Sequence, residues 1–250
     1  MKKLVYAVAM AGRGERFARA GHALPKYMVR AGGATLFEHS LRSLPPEPAA
    51  KIVFIALKEH EEKYGLRAFV AAALERVCGG AAFVPSYDVL LLGAPTRGQA
   101  ETVLAAKGLV PPGSELGIFN IDTKFESPSL GPLLLGPGKR DGVLGSFLLE
   151  AQDPKWSFAR TGPDGLVTEV AEKKQISPDA LTGFYHFTSA SDFFAVAEAA
   201  LKAPPEQAGE YYVAPLYNRL IAEGRKFVLD RAASLTPLGT PEDVARFAAR

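Results

Sequence analysis

Leu4-Val5-Tyr6-Ala7-Val8-Ala9-Met10 is an unbroken apolar run, and Ala11-Gly12-Arg13-Gly14-Glu15-Arg16 follows it at once. A run without polar alternation reads as a strand covered on both faces, the kind found inside a parallel sheet. The glycines at its carboxyl end let the chain turn sharply and leave backbone N–H groups free for an anion. Lys2 and Lys3 give the run a superficial likeness to a secretory leader. It is too short for one, however, and Arg13, Glu15 and Arg16 stand where a neutral cleavage region belongs. The expectation is a buried first strand feeding a phosphate-sized loop.

Downstream, strand and helix signals alternate. Thr35 with Glu38 forms a capping box ahead of Leu36, Phe37, Leu41 and Leu44, so a helix of about ten residues is expected before Pro45-Pro46. Ile52 to Leu57 is a second strand, Glu59 to Val77 a helix, and Phe83-Val84 part of a third strand. After a turn-rich stretch through Gly93 and Pro95, Ala100 to Leu109 reads as a helix and Leu116 to Ile121 as a strand. Such alternation predicts parallel strands with crossover helices and ligand sites at the strands' carboxyl ends.

Beyond Asp122 the pattern changes. Val143 to Leu149, Ser157 to Thr161, Leu166 to Ala171 and Leu181 to Thr188 read as strands, with a hairpin turn at Gly162-Pro163-Asp164-Gly165. Helices are predicted at Asp192 to Leu201, Glu210 to Glu223 and Val244 to Ala249, the last started by Thr240-Pro241, and a short strand at Phe227 to Leu229. No repeat or linker interrupts residues 1–250, and one domain is expected.

The composition excludes several classes. With 48% hydrophobic and 22% charged residues the chain matches ordinary globular proteins. Lys and Arg total 29 against 27 acids, a balance that predicts neither a nucleic-acid nor a membrane surface, so any anion is expected at one local site. No segment holds the roughly 18 apolar residues of a membrane span. Cys78 has no cysteine to pair with, and His22, His39, His60 and His186 lack zinc-ligand spacing, which suits a reducing cytoplasm.

The loop is not a dinucleotide fingerprint, because Phe17 stands where a third glycine is needed and the second strand closes on Lys58 rather than an acid. Nor is it a P-loop, since Gly-Lys-Ser/Thr is absent. Gly12-Arg13-Gly14-Glu15-Arg16 followed by Pro25-Lys26 resembles the sugar-nucleotidyltransferase family, the nucleotide-sugar pyrophosphorylases. The resemblance continues in family order through Thr96-Arg97-Gly98-Gln99, Asn120-Ile121-Asp122, Glu169 to Lys173, Gly183 to Phe187 and Gly239-Thr240-Pro241-Glu242-Asp243. Trp156-Ser157-Phe158 and Gly209 to Pro215 look most like the small single-domain members of bacterial capsule and lipopolysaccharide gene sets.

The resemblance implies a three-layer α/β/α, Rossmann-like mixed sheet with a glycosyltransferase-A-like nucleotidyltransferase fold. It also implies transfer of a nucleotidyl group from a nucleoside triphosphate to a sugar 1-phosphate or related phosphorylated acceptor, with release of pyrophosphate. Ala11, Gly12, Gly14, Gly98 and Gln99 would then bind nucleotide. Arg16 would hold the β and γ phosphates, and Lys26 would stabilise the α-phosphate. Asp122 would hold Mg²⁺ as a hard oxygen ligand. Glu172, Lys173 and Gly183 would face the acceptor. Many relatives carry a second metal-binding aspartate where this chain has Pro237. Asp230 or Asp243 could replace it, Asp122 could act with phosphates and water, or the chain could be inactive. The plainer readings are a solvated turn at Gly12 to Arg16, a glycine N-cap at Gly98 and a charged strand end at Glu172-Lys173. A glycosyltransferase-like enzyme and a non-catalytic nucleotide sensor stay open as functions, and so does a homo-oligomer.

Overall fold

The computed structural model describes residues 4–79, 85–136, 138–205 and 209–249. The opening run forms β1 (Leu4–Ala9), and the glycine loop turns into the short helix α1 (Glu15–Arg19). A 3-10 turn at Lys26–Met28 leads into a small ribbon, β2 (Arg30–Ala31) and β3 (Ala34–Thr35), and then α2 (Leu36–Leu41). The capping box is present: Thr35 Oγ1 accepts from the Glu38 N–H at 3.3 Å, and the Glu38 carboxylate accepts from the Thr35 N–H at 2.7 Å. After β4 (Ala49–Leu57), the helix expected from Glu59 to Val77 is two, α3 (Lys58–Tyr64) and α4 (Leu66–Cys78). Gly65, at φ 61°, ends one and starts the other. The third parallel strand is β5 (Ser86–Leu92), later than Phe83-Val84, which lies outside the described residues. Next, α5 (Gln99–Leu104) gives way to a 3-10 turn at Lys107–Leu109 instead of running on, and β6 (Glu115–Asn120) follows.

The second half opens with β7 (Thr123–Glu126) and α6 (Leu130–Leu135), neither legible in the pattern, then β8 (Gly142–Leu148). The hairpin joins β9 (Ser157–Thr161) to β10 (Val167–Glu172), with Val167 paired to Thr161. Then come β11 (Asp179–Phe187), α7 (Ala190–Ala200), α8 (Leu216–Ala222), β12 (Phe227–Arg231), β13 (Ser234–Pro237) and α9 (Pro241–Ala248). Helix α8 starts six residues after the predicted Glu210, because the Tyr211 backbone is bonded to Arg97 and Ala100 and not to a helical turn.

The main sheet runs β10-β9-β11-β6-β1-β4-β5, with β8 added to β11 and β12 to β8. Strands β5, β4, β1 and β6 are parallel, and β11 joins antiparallel. Alternate side chains feed two cores. Val5, Ala7, Val53 and Ile55 pack against α5, α7 and α8, while Tyr6, Val8, Ile52 and Phe54 pack against α2 and α4. The layers are therefore α/β/α. Each large side chain so buried contributes about 1.5–3 kcal/mol of hydrophobic stabilisation. Because the connection after β5 returns to the other side of β1, the strand order reverses between β1 and β6, which is where an open α/β sheet forms its crevice. No helix among the described residues is long and apolar enough to cross a membrane.

Candidate active site

The crevice at the β1/β6 reversal opens into a cavity of about 660 Å³. Its floor is the glycine loop, held to the sheet by the Met10 N–H on the Ile55 carbonyl at 2.8 Å. Gly14 takes φ 63° to start α1, a backbone that only glycine adopts without strain. A side chain at Gly12 would meet nothing within 4 Å, so the loop's backbone faces open space there. Ala11, Gly12, Gly14 and Lys26 all line this cavity. Phe17 is buried in a small core with Leu36 and Leu238, which pins α1. Arg16, expected on the β and γ phosphates, lines the neighbouring pocket and lies near Tyr212 and Glu242.

Gly98 and Gln99 form the facing wall. A Cβ on Gly98 would lie 2.5 Å from the Tyr211 nitrogen and 2.6 Å from its oxygen. Glycine is thus required there for a chain-to-chain contact as well as for the helix start. The contact is sealed by the Tyr211 N–H on the Arg97 carbonyl at 2.8 Å and the Ala100 N–H on the Tyr211 carbonyl at 2.9 Å. Gln99 Nε2 donates to Asn120 Oδ1 across the crevice. Tyr212 follows the contact and lines both cavities, a role that no local pattern in the sequence signals.

The neighbouring pocket, about 300 Å³, exists because the sheet forks. Strand β11 pairs with β9 at Ala180 but with β6 from Tyr185 onward. The switch occurs at Gly183, where φ is 89° and a Cβ would come within 2.9 Å of Asn120 Nδ2. Glu172 and Lys173 enter this pocket from the end of β10. Burial pushes the Glu172 carboxyl above its ordinary range, while the Ser157 hydroxyl, donating to it, pulls the other way. Lys173 has φ 55°, and its N–H donates to the Trp156 carbonyl at 3.0 Å. Its Nζ donates to the Tyr212 hydroxyl. Burial, with Glu210 beside it, raises the Tyr212 phenol far above the usual range.

Asp122 sits where the two cavities meet. Lys26 Nζ donates to its Oδ2 at 3.2 Å, and its carbonyl receives the Leu238 N–H at 2.7 Å. Pro237 ends β13, paired with Thr123, and brings no oxygen donor in its side chain. Asp230 is buried on β12 and accepts from the Ser129 hydroxyl at 2.6 Å, away from both cavities. Asp243 does line the smaller pocket, but Arg246 holds its carboxylate at 2.7 Å. No cage of three or more His, Cys, Asp or Glu side chains occurs among the described residues. One hard carboxylate at the edge of a phosphate-sized cavity nevertheless fits Mg²⁺, which takes one or two carboxylates plus substrate phosphates and keeps several waters.

The fold has counterparts among solved structures. The chain is similar to the nucleoside-diphosphate-sugar pyrophosphorylase of Vibrio cholerae RC9 at 31% identity and TM-score 0.78, over 98% of this chain and 100% of that one. It shares its fold with the inositol-1-phosphate CTP transferase of T. maritima, at 15% identity and TM-score 0.73 over 97% and 92% of the two chains. The same holds for the UDP-glucose pyrophosphorylase of Acinetobacter baumanii, at 14% identity and TM-score 0.71 over 99% and 92%. No protein-family model and no curated protein matches the chain.

Proposed function

The chain belongs to the nucleoside-diphosphate-sugar pyrophosphorylase family, and from that premise we propose that it transfers the nucleoside monophosphate group of a nucleoside triphosphate to a sugar 1-phosphate, releasing pyrophosphate. The observation that carries this reading is the pair of cavities meeting at Gln99, Asn120, Asp122 and Tyr212. One has a glycine-loop floor suited to a triphosphate. The other has the cations Arg16, Lys155 and Lys173 together with the buried Glu172.

In this reaction an oxygen of the acceptor phosphate forms a bond to the α-phosphorus as the bond from that phosphorus to the pyrophosphate oxygen breaks. No protein nucleophile is needed, so positioning and charge neutralisation supply the catalysis. Backbone N–H groups of the Ala11 to Gly14 loop receive the triphosphate, and Lys26 meets charge at the α-phosphate. Gly98 and Gln99 border the base. Lys173 and Arg16 hold the acceptor phosphate, and Glu172 and Ser157 face acceptor hydroxyls, in the space that Gly183 leaves open. Mg²⁺ held by Asp122 would neutralise charge shared between the reacting phosphates. We place the reaction in the cytoplasm, supplying nucleotide sugars for cell-surface polysaccharide.

The test is a pyrophosphate-release screen of four nucleoside triphosphates against a panel of sugar 1-phosphates with Mg²⁺. One productive pair is the expected result. Release of nucleoside diphosphate from a nucleotide sugar would turn the reading to glycosyl transfer, and nucleotide binding with no product anywhere on the panel would turn it to a sensor.

A further inference from the structure

Lys26 and Asp122 reach one point from opposite sides of the crevice, the lysine from the 3-10 turn after the glycine loop and the aspartate from the end of β6. Their side chains are 22% and 35% exposed, and the separation of 3.2 Å makes this a partly desolvated ion pair. Among the described residues no other side chain bonds the Asp122 carboxylate. The nearby alternatives are spent, since Asp243 is paired with Arg246 and Pro237 has no donor to offer.

A carboxylate with an ammonium already on it is a poor seat for a divalent cation. Its charge is cancelled, and the incoming ion meets like charge at close range. We infer that in the nucleotide-free protein Lys26 occupies the cation's place on Asp122, and that a bound triphosphate draws the ammonium onto its own oxygens and frees the carboxylate. The divalent cation therefore enters with the nucleotide and not before it, and by reciprocity each strengthens the other's binding. The nucleotide half of this inference rests on the nucleotidyltransferase reading. The lysine half does not.

The probe is Mn²⁺ alone, its free fraction read by electron paramagnetic resonance on nucleotide-free protein. Lys26→Met should bind Mn²⁺ at least about tenfold more tightly than wild type, in the range seen when a group beside a metal ligand is changed. Lys26→Arg keeps the cation and should stay at the wild-type level. Lys26→Met combined with Asp122→Asn should lose the gain. Wild-type binding as tight as that of Lys26→Met, or a gain that survives Asp122→Asn, overturns the inference. Lys26→Gln repeats the test should Lys26→Met fail to melt cooperatively. Water-proton relaxation by Mn²⁺ in wild type, with each of four triphosphates in turn, then tests the nucleotide half. Enhancement with at least one triphosphate is expected. Enhancement with none defeats the nucleotide half and the nucleotidyltransferase reading together, whereas the lysine half is decided by the nucleotide-free variants.

Discussion

Lys173 is the one non-glycine residue with positive φ among those described. Holding it there costs on the order of 1–3 kcal/mol, strain of the kind that gathers at binding sites. The bend, locked by the Trp156 carbonyl, delivers the ammonium to Tyr212 at the edge of both cavities. On the proposed reading, Lys173→Ala should raise the acceptor KM about tenfold or more, the worth of a charge-assisted hydrogen bond, and move the nucleotide KM little. Steady-state kinetics with each substrate varied in turn checks this, and an equal rise in both values would remove Lys173 from the acceptor. Its neighbour Glu172 gives a prediction independent of turnover. Burial raises the folded carboxyl above its ordinary 4.5, so the unfolded chain gives up this proton first as pH rises. The group's stabilising contribution is present below the unfolded value and is lost as pH climbs through the folded one. Glu172→Gln cannot ionise, so its melting temperature should gain on wild type as pH rises from below the ordinary carboxyl value to above the raised one. A constant difference across that range would contradict the burial argument.

At the scale of single elements, α2 shows how far local chemistry reaches. Burial pushes the Glu38 carboxyl up, but the Thr35 hydroxyl, Arg76 and the Thr35 N–H together outweigh it and hold the pKa at about 2. That contribution is present above the ordinary value and is lost as pH falls toward about 2. Thr35→Ala should cost about 1 kcal/mol in urea unfolding at neutral pH. A loss no larger than that of a surface substitution would show the cap to be idle. The start of this element was legible because its cause lies within four residues, although the helix ends at Leu41 after six residues and does not run for about ten. The glycine loop was legible for the same reason, and so was the Gly162 to Gly165 hairpin. The split of one long helix at Gly65 was missed because apolar spacing continues across the break and only the backbone angle reveals it. The fork at Gly183 depends on β6 and β9 lying on the same side of β11, and Gly98 on the docking of Tyr211. Both are long-range contacts, so the sequence shows the glycines and not what crowds them. Tyr212, Trp156 and Arg16 take their positions in the same way, from elements distant in the chain.

At the scale of the molecule, the two cavities make ligand binding a stability measurement. A triphosphate at about 100 times its dissociation constant adds about 2.7 kcal/mol to folding stability. For a chain of 250 residues this raises the melting temperature by about 5 °C or more. Thermal melts with each triphosphate and Mg²⁺ should single out the nucleotide used. Identical melts for all four would mean that none occupies the crevice. The fork in the sheet has a wider meaning. It sets a seam between β6 and β11: parallel strands carry the glycine-loop cavity, which on the proposed reading takes the nucleotide, and antiparallel strands carry the side with Glu172, Lys173 and Gly183. The β9–β10 hairpin, from Ser157 to Glu172, hangs at the outer margin of the second side. On the proposed reading, grafting of that hairpin between relatives should therefore change acceptor preference and leave nucleotide preference as it was.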